Sequence, residues 1–114
     1  MNGLFADCDA LVTPFTDTTA PATLETTGTP KFQAPWSCAG VPAVSIPCGL
    51  APDGMPVGLQ LVGRQNQDEA LLGVAQWCES AINFKKTPAL LKGLVELFMR
   101  IVRKTSSYLT PHTS

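Results

Sequence analysis

The chain has 114 residues, a formal net charge of −1 and a hydrophobic fraction of 45%, so it fits one compact domain, and its overall charge argues against non-specific nucleic-acid binding. The charge is lopsided: residues 1–84 hold two basic and eight acidic side chains (net −6), and residues 85–114 hold six basic and one acidic (net +5). No apolar run approaches the roughly 20 residues of a membrane-spanning helix, and the N-terminus lacks the features of a secretory signal. We therefore expect a cytoplasmic protein, and the charge asymmetry makes a separate role for residues 85–114 worth considering.

The cysteines predict neither a metal site nor a disulfide framework. They form no Cys-x-x-Cys pair, and the lone His112 has no credible partner for a shared ion. In a reducing compartment we expect free, mostly buried thiols. The four are Cys8, Cys38, Cys48 and Cys78. No metal and no cofactor are implied.

The first elements along the chain are short. Residues 10–13 are predicted to form a strand that Pro14 stops, because proline lacks a backbone donor. Residues 15–31 are rich in threonine and proline and are predicted to be a loop. The length of this loop suggests that it lies against other parts of a larger protein. After Pro35, a brief turn or short helix leads through Gly40.

Residues 40–63, GVPAVSIPCGLAPDGMPVGLQLVG, predict a pair of strands. Two apolar runs, at 43–46 and 57–62, flank a turn at Asp53-Gly54, because glycine accepts a positive φ and aspartate bonds to nearby backbone. Prolines near the ends of the runs are expected to punctuate the strands rather than interrupt them.

The second of these strands has the pattern of an interior strand. Val57, Leu59 and Leu61 share one face. On the other face, Val62 is apolar and Gly58 lets a neighbour approach closely. A strand that is apolar on both faces is typical of a sheet covered by layers on both sides.

A helix is predicted to follow the strand pair. Asn66 is its expected N-cap, with Glu69 completing a capping box and Asp68 adding negative charge near the positive helix end. Trp77 falls beside the apolar stripe and is expected at its rim. The stripe that should face a core comprises Leu71, Val74, Ala75, Cys78 and Ile82.

A second helix is predicted to start at Thr87-Pro88 and to fray from Thr105 onward. Its apolar face could pack on the sheet or on the preceding helix, lie in a partner's groove, or lie on an anionic membrane. Packing within the protein is the favoured interpretation of the three. The face comprises Leu90, Leu91, Leu94, Val95, Leu97, Phe98, Ile101 and Val102, and the basic residues around it are Lys85, Lys86, Arg100, Arg103 and Lys104.

The sequence resembles the C-terminal end of the amidase signature family. The resemblance lies in residues 40–63, in the FQAPW and DEALL segments that flank them, and in the upstream DALVTP segment. It stops near Phe84. It implies an α/β fold: a partial amidase-signature fold with a few strands of a mixed sheet flanked by helices, followed by a C-terminal amphipathic helix. We accordingly divide the chain into an amidase portion, residues 1–84, and a basic amphipathic helix with a frayed tail, residues 85–114.

The resemblance also implies a Lys–Ser–Ser triad whose glycine- and serine-rich segment has no match here. A serine nucleophile needs a base within hydrogen-bond reach and donors for the oxyanion. Ser106-Ser107 lies near Lys104, but at a helix end and without a glycine-rich loop, so a solvated tail is favoured. Ser45 is interpreted as a buried, hydrogen-bonded hydroxyl.

Three further candidates have structural interpretations. Lys31 is expected to be a surface cation of the loop, Cys48 to pack in the protein, and His112 to lie in a disordered tail. No residue is therefore assigned as catalytic, cofactor-binding or metal-binding.

Two departures from the family pattern bear on substrate. Family members commonly have asparagine at the position of Ser37. Subunits of the tRNA amidotransferases often have an acidic residue near the positions of Thr29, Pro30 and Lys31, where it would hold the amino group of glutamine. Its absence favours a general amidase as the parent.

The leading hypothesis is a C-terminal fragment of an amidase that hydrolyses carboxamide C–N bonds by a Ser-Ser-Lys mechanism, with this chain inactive alone. The alternative is a non-catalytic interaction module whose tail helix binds a partner or an anionic membrane surface. The expected partners are the missing catalytic part of an amidase or a second copy of the chain. Nucleic acid is not expected, and a membrane surface is the weaker alternative.

Overall fold

A computed structural model of the chain describes residues 2–109, with the side chains of residues 3–91 and 93–104. The chain divides into two compact units, with the boundary between Phe84 and Lys85. In the first unit, a 3-10 helix (Asn2–Phe5) precedes three strands and two helices. These are β1 (Leu11–Pro14), α1 (Ala34–Ala39), β2 (Ala43–Leu50), β3 (Pro56–Val62) and α2 (Asp68–Ile82). In the second unit, the described residues form α3 (Ala89–Leu109).

The strands form one antiparallel sheet in the order β1-β3-β2. The predicted α/β class is confirmed, and a three-stranded sheet with helices is consistent with a partial amidase fold. β3 is central, as its pattern predicts. It is covered on both faces at its end, where Gln60, Leu61 and Val62 are at most 1% exposed. Near its start, Val57 remains exposed.

The turn between β2 and β3 is formed as predicted. Gly54 has a φ of +83°, and its backbone N–H donates to the Ala51 carbonyl over 2.9 Å. An Asp53 carboxylate oxygen accepts the Met55 backbone N–H at 3.0 Å. Aspartate and glycine thus take the two roles that a tight turn requires.

β2 runs four residues beyond the predicted apolar run at 43–46, so that Pro47 lies within the strand and does not interrupt it. Pro47 pairs with Gly58, and the register shifts between Pro47 and Gly49 before pairing resumes to Leu50. A proline is tolerated in this place because β2 is an outer strand and the shift is a bulge.

The prolines of the two outer strands, Pro14 and Pro47, direct their nitrogens away from β3. The Gly58 carbonyl accepts the Phe15 N–H at 3.4 Å, on the β1 side, so the backbone groups of Gly58 point away from Pro47. Peptide groups alternate along a strand, so those of Leu59 point toward β2 and away from its other partner, Pro14. The missing donors of Pro14 and Pro47 therefore fall on the two outer edges of the sheet.

The core lies between the sheet and α2, along the predicted stripe. Leu61 is fully buried, and it clusters with Ile46, Leu71 and Ala75. Trp77 lies beside the stripe and is 71% exposed. The partly buried side chains that pack against the cluster are Ala10, Val44, Leu59, Val74, Cys78 and Ile82. The predicted facing of α2 is thereby confirmed.

The start of α2 differs from the prediction. The N-cap is Gln67, without a side-chain capping bond, and Asn66 has a φ of +60°. Asn66 takes the left-handed turn that aspartate and asparagine tolerate, so the helix begins one residue later and the capping box is not formed. Asp68 and Glu69 still lie in the first turn, where negative charge is favourable.

The uncapped start of α2 predicts that Gln67→Asp stabilises the protein. An aspartate at the N-cap can accept a backbone N–H of the first turn, which contributes about 0.5–1 kcal/mol. Urea denaturation of the full chain would measure the gain. Gln65→Asp adds the same charge two residues earlier and should give no comparable gain, so equal effects of both variants would refute the capping explanation.

α3 continues past Thr105 to Leu109, and the fraying expected from Thr105 onward stays a prediction. Serine and threonine cost a helix only a few tenths of a kcal/mol more than the best formers. The sequence has no glycine or proline between Gly93 and Pro111, so nothing in this stretch forces the helix to end.

Candidate functional site

A buried glutamine organises the sheet face opposite α2. Gln60 is 1% exposed, and its side-chain amide donates to the Thr13 hydroxyl and to the Phe32 carbonyl, each over 2.9 Å. These bonds tie β1 and the end of the long loop to β3. No sequence motif points to Gln60, and the signal that could have found it is that Gln60 is the one polar side chain in the apolar strand β3.

A second hydrogen bond holds the long loop in place. The Gln33 side chain donates to the Phe15 carbonyl, so the two ends of the loop over residues 15–33 are held together. α1 then begins at Ala34 and ends at Gly40, whose φ of +68° forms the left-handed C-cap. This short helix places Trp36 and Ser37 beside the sheet.

A cleft of about 250 Å³ opens between α1, the loop and the sheet. Its aromatic wall comprises Phe15 and Trp36, and its polar lining includes Gln33, Ser37, Ser45 and Gln60. None of the described residues that line it is titratable. The cleft can therefore hold a small uncharged polar group by hydrogen bonds, but its own side chains supply no base for proton transfer.

Ser45 is exposed, which corrects its interpretation as a buried hydroxyl. Its side chain points to the cleft face of β2, because it pairs with Gln60 and not with the α2-facing residues. A Cβ at Gly58 would lie only 2.8 Å from the Ser45 hydroxyl oxygen, so the predicted close approach at Gly58 is confirmed.

The other candidates do not gather at the cleft. Lys31 is exposed on the loop, with its ammonium 5.4 Å from the centroid of the Phe32 ring. Cys48 is half-buried, and its sulfur lies 3.5 Å from the Val57 carbonyl oxygen. The Ser106 and Ser107 side chains and the whole of His112 lie outside the described residues.

The cysteines are free, but the expectation that they are mostly buried is wrong. Cys38 is exposed and the other three are half-buried, because the unit is small and its core holds few side chains. Within the described part of the chain, no three His, Cys, Asp or Glu side chains are grouped to hold a metal ion.

Arg64 anchors the N-terminal segment beside a second cleft. Its guanidinium donates to the Phe5 carbonyl and to the Cys8 carbonyl, the latter over 3.3 Å. Both contacts satisfy backbone acceptors, and Phe5 itself is 4% exposed. The geometry indicates a structural role for this cation.

The sequence of this chain matches a family of known proteins. The model of the family described as Amidase matches residues 1–72. The A subunit of the glutamyl-tRNA(Gln) amidotransferase from Rhodospirillum rubrum is 39% identical over 99 residues. Proteins of the same name from Granulibacter bethesdensis and Brevibacillus brevis are 40% and 37% identical over 93 and 90 residues.

These matches cover most of this chain but little of the relatives. They take in 81%, 75% and 73% of the chain and 20%, 19% and 18% of the three relatives, respectively. The chain thus spans about a fifth of the length of the curated relatives it matches. All three are named as amidotransferase subunits, so the preference for a general amidase, drawn from the missing acid near Lys31, finds no support in them.

Proposed function

Because the chain belongs to the amidase family, we propose that residues 1–84 supply the C-terminal portion of an enzyme that hydrolyses carboxamide C–N bonds. The nucleophilic serine, the bridging serine and the lysine base would come from a part of the enzyme that this chain does not contain. Residues 85–114 would form a separate tail. On this proposal the chain is catalytically silent by itself.

The single observation that carries this proposal is the chemistry of the cleft. Ser37 and Ser45 bring hydroxyls to it, yet the described lining has no lysine, histidine or carboxylate. A serine hydroxyl without a positioned base is a poor nucleophile at neutral pH. The same lining suits the recognition of a carboxamide, whose carbonyl accepts and whose nitrogen donates hydrogen bonds.

The relatives support a partner for this chain. They are named as subunits, and the chain matches only about a fifth of each. The proposed partner is the catalytic portion of an amidase. Gln60 then has a positioning role, since its bonds to Thr13 and Phe32 fix the loop that walls the cleft.

The expected result for the purified chain is no release of ammonia from simple aliphatic or aromatic amides. The measurement is an ammonia assay with Ser45→Ala and Ser106→Ala as controls, so that contamination by another amidase appears equally in all three samples. Turnover that either substitution abolishes would show that the chain holds a complete active site and would end the proposal.

A complementation assay separates an enzyme portion from a non-catalytic module. The partner is the Rhodospirillum rubrum relative without the segment that this chain matches, co-expressed with the chain. An enzyme portion should restore the activity of that relative, whereas a non-catalytic module should bind without restoring it. A chain with a disrupted core, Leu61→Ala, serves as the matched control and should restore less.

A further inference from the structure

The helix α3, considered by itself, has an unusually wide apolar face. At the 100° per residue of an α-helix, its large apolar side chains between residues 90 and 102 span an arc of about 200°. Each of them is between 44% and 79% exposed. They are Leu90, Leu91, Leu94, Val95, Leu97, Phe98, Met99, Ile101 and Val102.

The remaining arc of α3 is polar and mostly basic. Glu96, Arg100, Arg103 and Lys104 fall within it by the same geometry. Over residues 89–109 the sequence has four basic residues and one acidic residue, a net charge of +3. A narrow basic sector thus borders an apolar sector that takes up more than half of the helix surface.

The width of the apolar arc limits which kind of surface can cover all of it. The seam of a two-stranded coiled coil uses two positions in seven, and a bundle helix uses about three in seven. An arc of about 200° exceeds both, so one partner helix would leave much of it in water. A lipid surface, by contrast, surrounds the whole sector with acyl chains and places anionic headgroups beside the basic residues.

The same helix does not fit a membrane-spanning role. Among the described residues, no helix combines the length and apolar character needed to cross a bilayer. Glu96 and Arg100 interrupt the apolar sequence near the middle of α3. A helix with a strong apolar side, a charged polar side and modest overall hydrophobicity lies in the plane of the interface instead.

We propose that α3 binds the surface of an anionic lipid bilayer, with Leu94 and Phe98 directed into the acyl region and Arg100 and Arg103 at the headgroup phosphates. From the sequence alone, this role stood behind packing within the protein. The width of the apolar sector and the basic residues on the rest of the helix bring it forward. The proposal rests on α3 only, so it does not depend on the amidase function proposed for residues 1–84.

The test is flotation of the full-length chain with lipid vesicles, which separates bound protein from aggregates. Vesicles of phosphatidylcholine mixed with phosphatidylserine should bind the chain, and vesicles of phosphatidylcholine alone should bind it much more weakly. Added salt should weaken the binding, because it screens the attraction between basic side chains and headgroups.

Two sets of variants test the two faces of the helix. Arg100→Gln combined with Arg103→Gln should weaken binding to anionic vesicles roughly thirtyfold, since each basic residue near the surface contributes about fivefold. Glu96→Gln should strengthen it. Leu94→Ala should weaken binding about tenfold or more by removing buried methylene groups. Leu72→Ala is the matched control, because Leu72 is similarly exposed (59% against 55%) but lies on α2.

Three outcomes would overturn the proposal. The first is no flotation with anionic vesicles at low salt. The second is binding that the charge variants leave unchanged or that Leu72→Ala weakens as much as Leu94→Ala. The third is a dimer in sedimentation velocity that Leu94→Ala dissociates, without flotation, which would make a second copy of the chain the occupant of this face.

Discussion

Replacing Gln60 with glutamate is expected to lower the free energy of unfolding by about 3 kcal/mol at pH 7, because it buries a carboxylate without a matching partner. The amide of Gln60 donates to Thr13 and to the Phe32 carbonyl. The Thr13 hydroxyl can turn and donate to the new carboxylate. The Phe32 carbonyl can only accept, so it loses its partner and faces a negative oxygen.

The pH dependence of this loss distinguishes a buried charge from a change of shape. Burial favours the protonated carboxyl in the folded state, whereas the unfolded chain ionises it at the ordinary pKa. There is therefore a pH interval in which the folded state still holds the extra proton and the unfolded state has released it. The free energy of unfolding falls as the pH rises through that interval.

Urea denaturation followed by circular dichroism at about pH 5 and about pH 7 measures both effects. Gln76→Glu is the matched control, since Gln76 is exposed on α2. We expect it to change stability by less than about 0.5 kcal/mol at either pH. A loss for Gln60→Glu that is equally small, or that does not depend on pH, would contradict the assigned role of the Gln60 amide.

The second large effect is expected for Leu61→Ala. Leu61 is fully buried at the centre of the cluster with Ile46, Leu71 and Ala75. A leucine-to-alanine change in a core costs about 2–5 kcal/mol, through lost transfer free energy and the cavity left behind. Domains of this size have a total free energy of unfolding of only about 5–15 kcal/mol. This change should therefore remove a large part of it.

The control is the same substitution at an exposed position. Leu72 lies on α2 and is 59% exposed. Leu72→Ala should therefore change the free energy of unfolding by less than about 0.5 kcal/mol. Thermal melts of the two variants and of the unaltered chain provide the comparison. Similar melting of Leu61→Ala and Leu72→Ala would contradict the position of the core between the sheet and α2.

Local sequence signals predict much of the fold. The apolar residues on both faces of residues 57–62 predict that β3 is an interior strand, because this pattern is typical of a strand covered on both sides. The Asp53-Gly54 pair locates the turn. The spacing from Leu71 to Ile82 predicts which side of α2 meets the sheet, as a helix must bury its apolar stripe.

What the sequence does not reveal depends on neighbours distant along the chain. β2 continues past Pro47 because it lies at the edge of the sheet, and no local pattern gives the order of the strands. The role of Gln60 depends on Thr13 and Phe32, which are 47 and 28 residues away along the chain. The helix start at Asp68 depends on the turn that Asn66 adopts.

In the candidate site, too, local motifs are predictable and features built from distant segments are not. The sequence predicts, through its resemblance to the family, that the catalytic serines and lysine are missing, since a glycine- and serine-rich segment would be visible as a motif, and this stays a prediction. It does not predict the cleft, because its walls come from the loop, α1, β2 and β3, and it interprets Ser45 as buried. Whether a strand serine faces a core or a cleft is decided by the layer that covers that face.

The placement of Pro14 and Pro47 has a consequence for self-association. Each proline lies on an outer strand with its nitrogen directed away from the ladder, so an incoming strand would meet a position without a donor on either side of the sheet. Cross-β stacking requires an uninterrupted row of donors and acceptors. Fibril growth by strand addition should therefore stall at these two residues, and replacing Pro47 with a residue that has an N–H should accelerate thioflavin-positive aggregation.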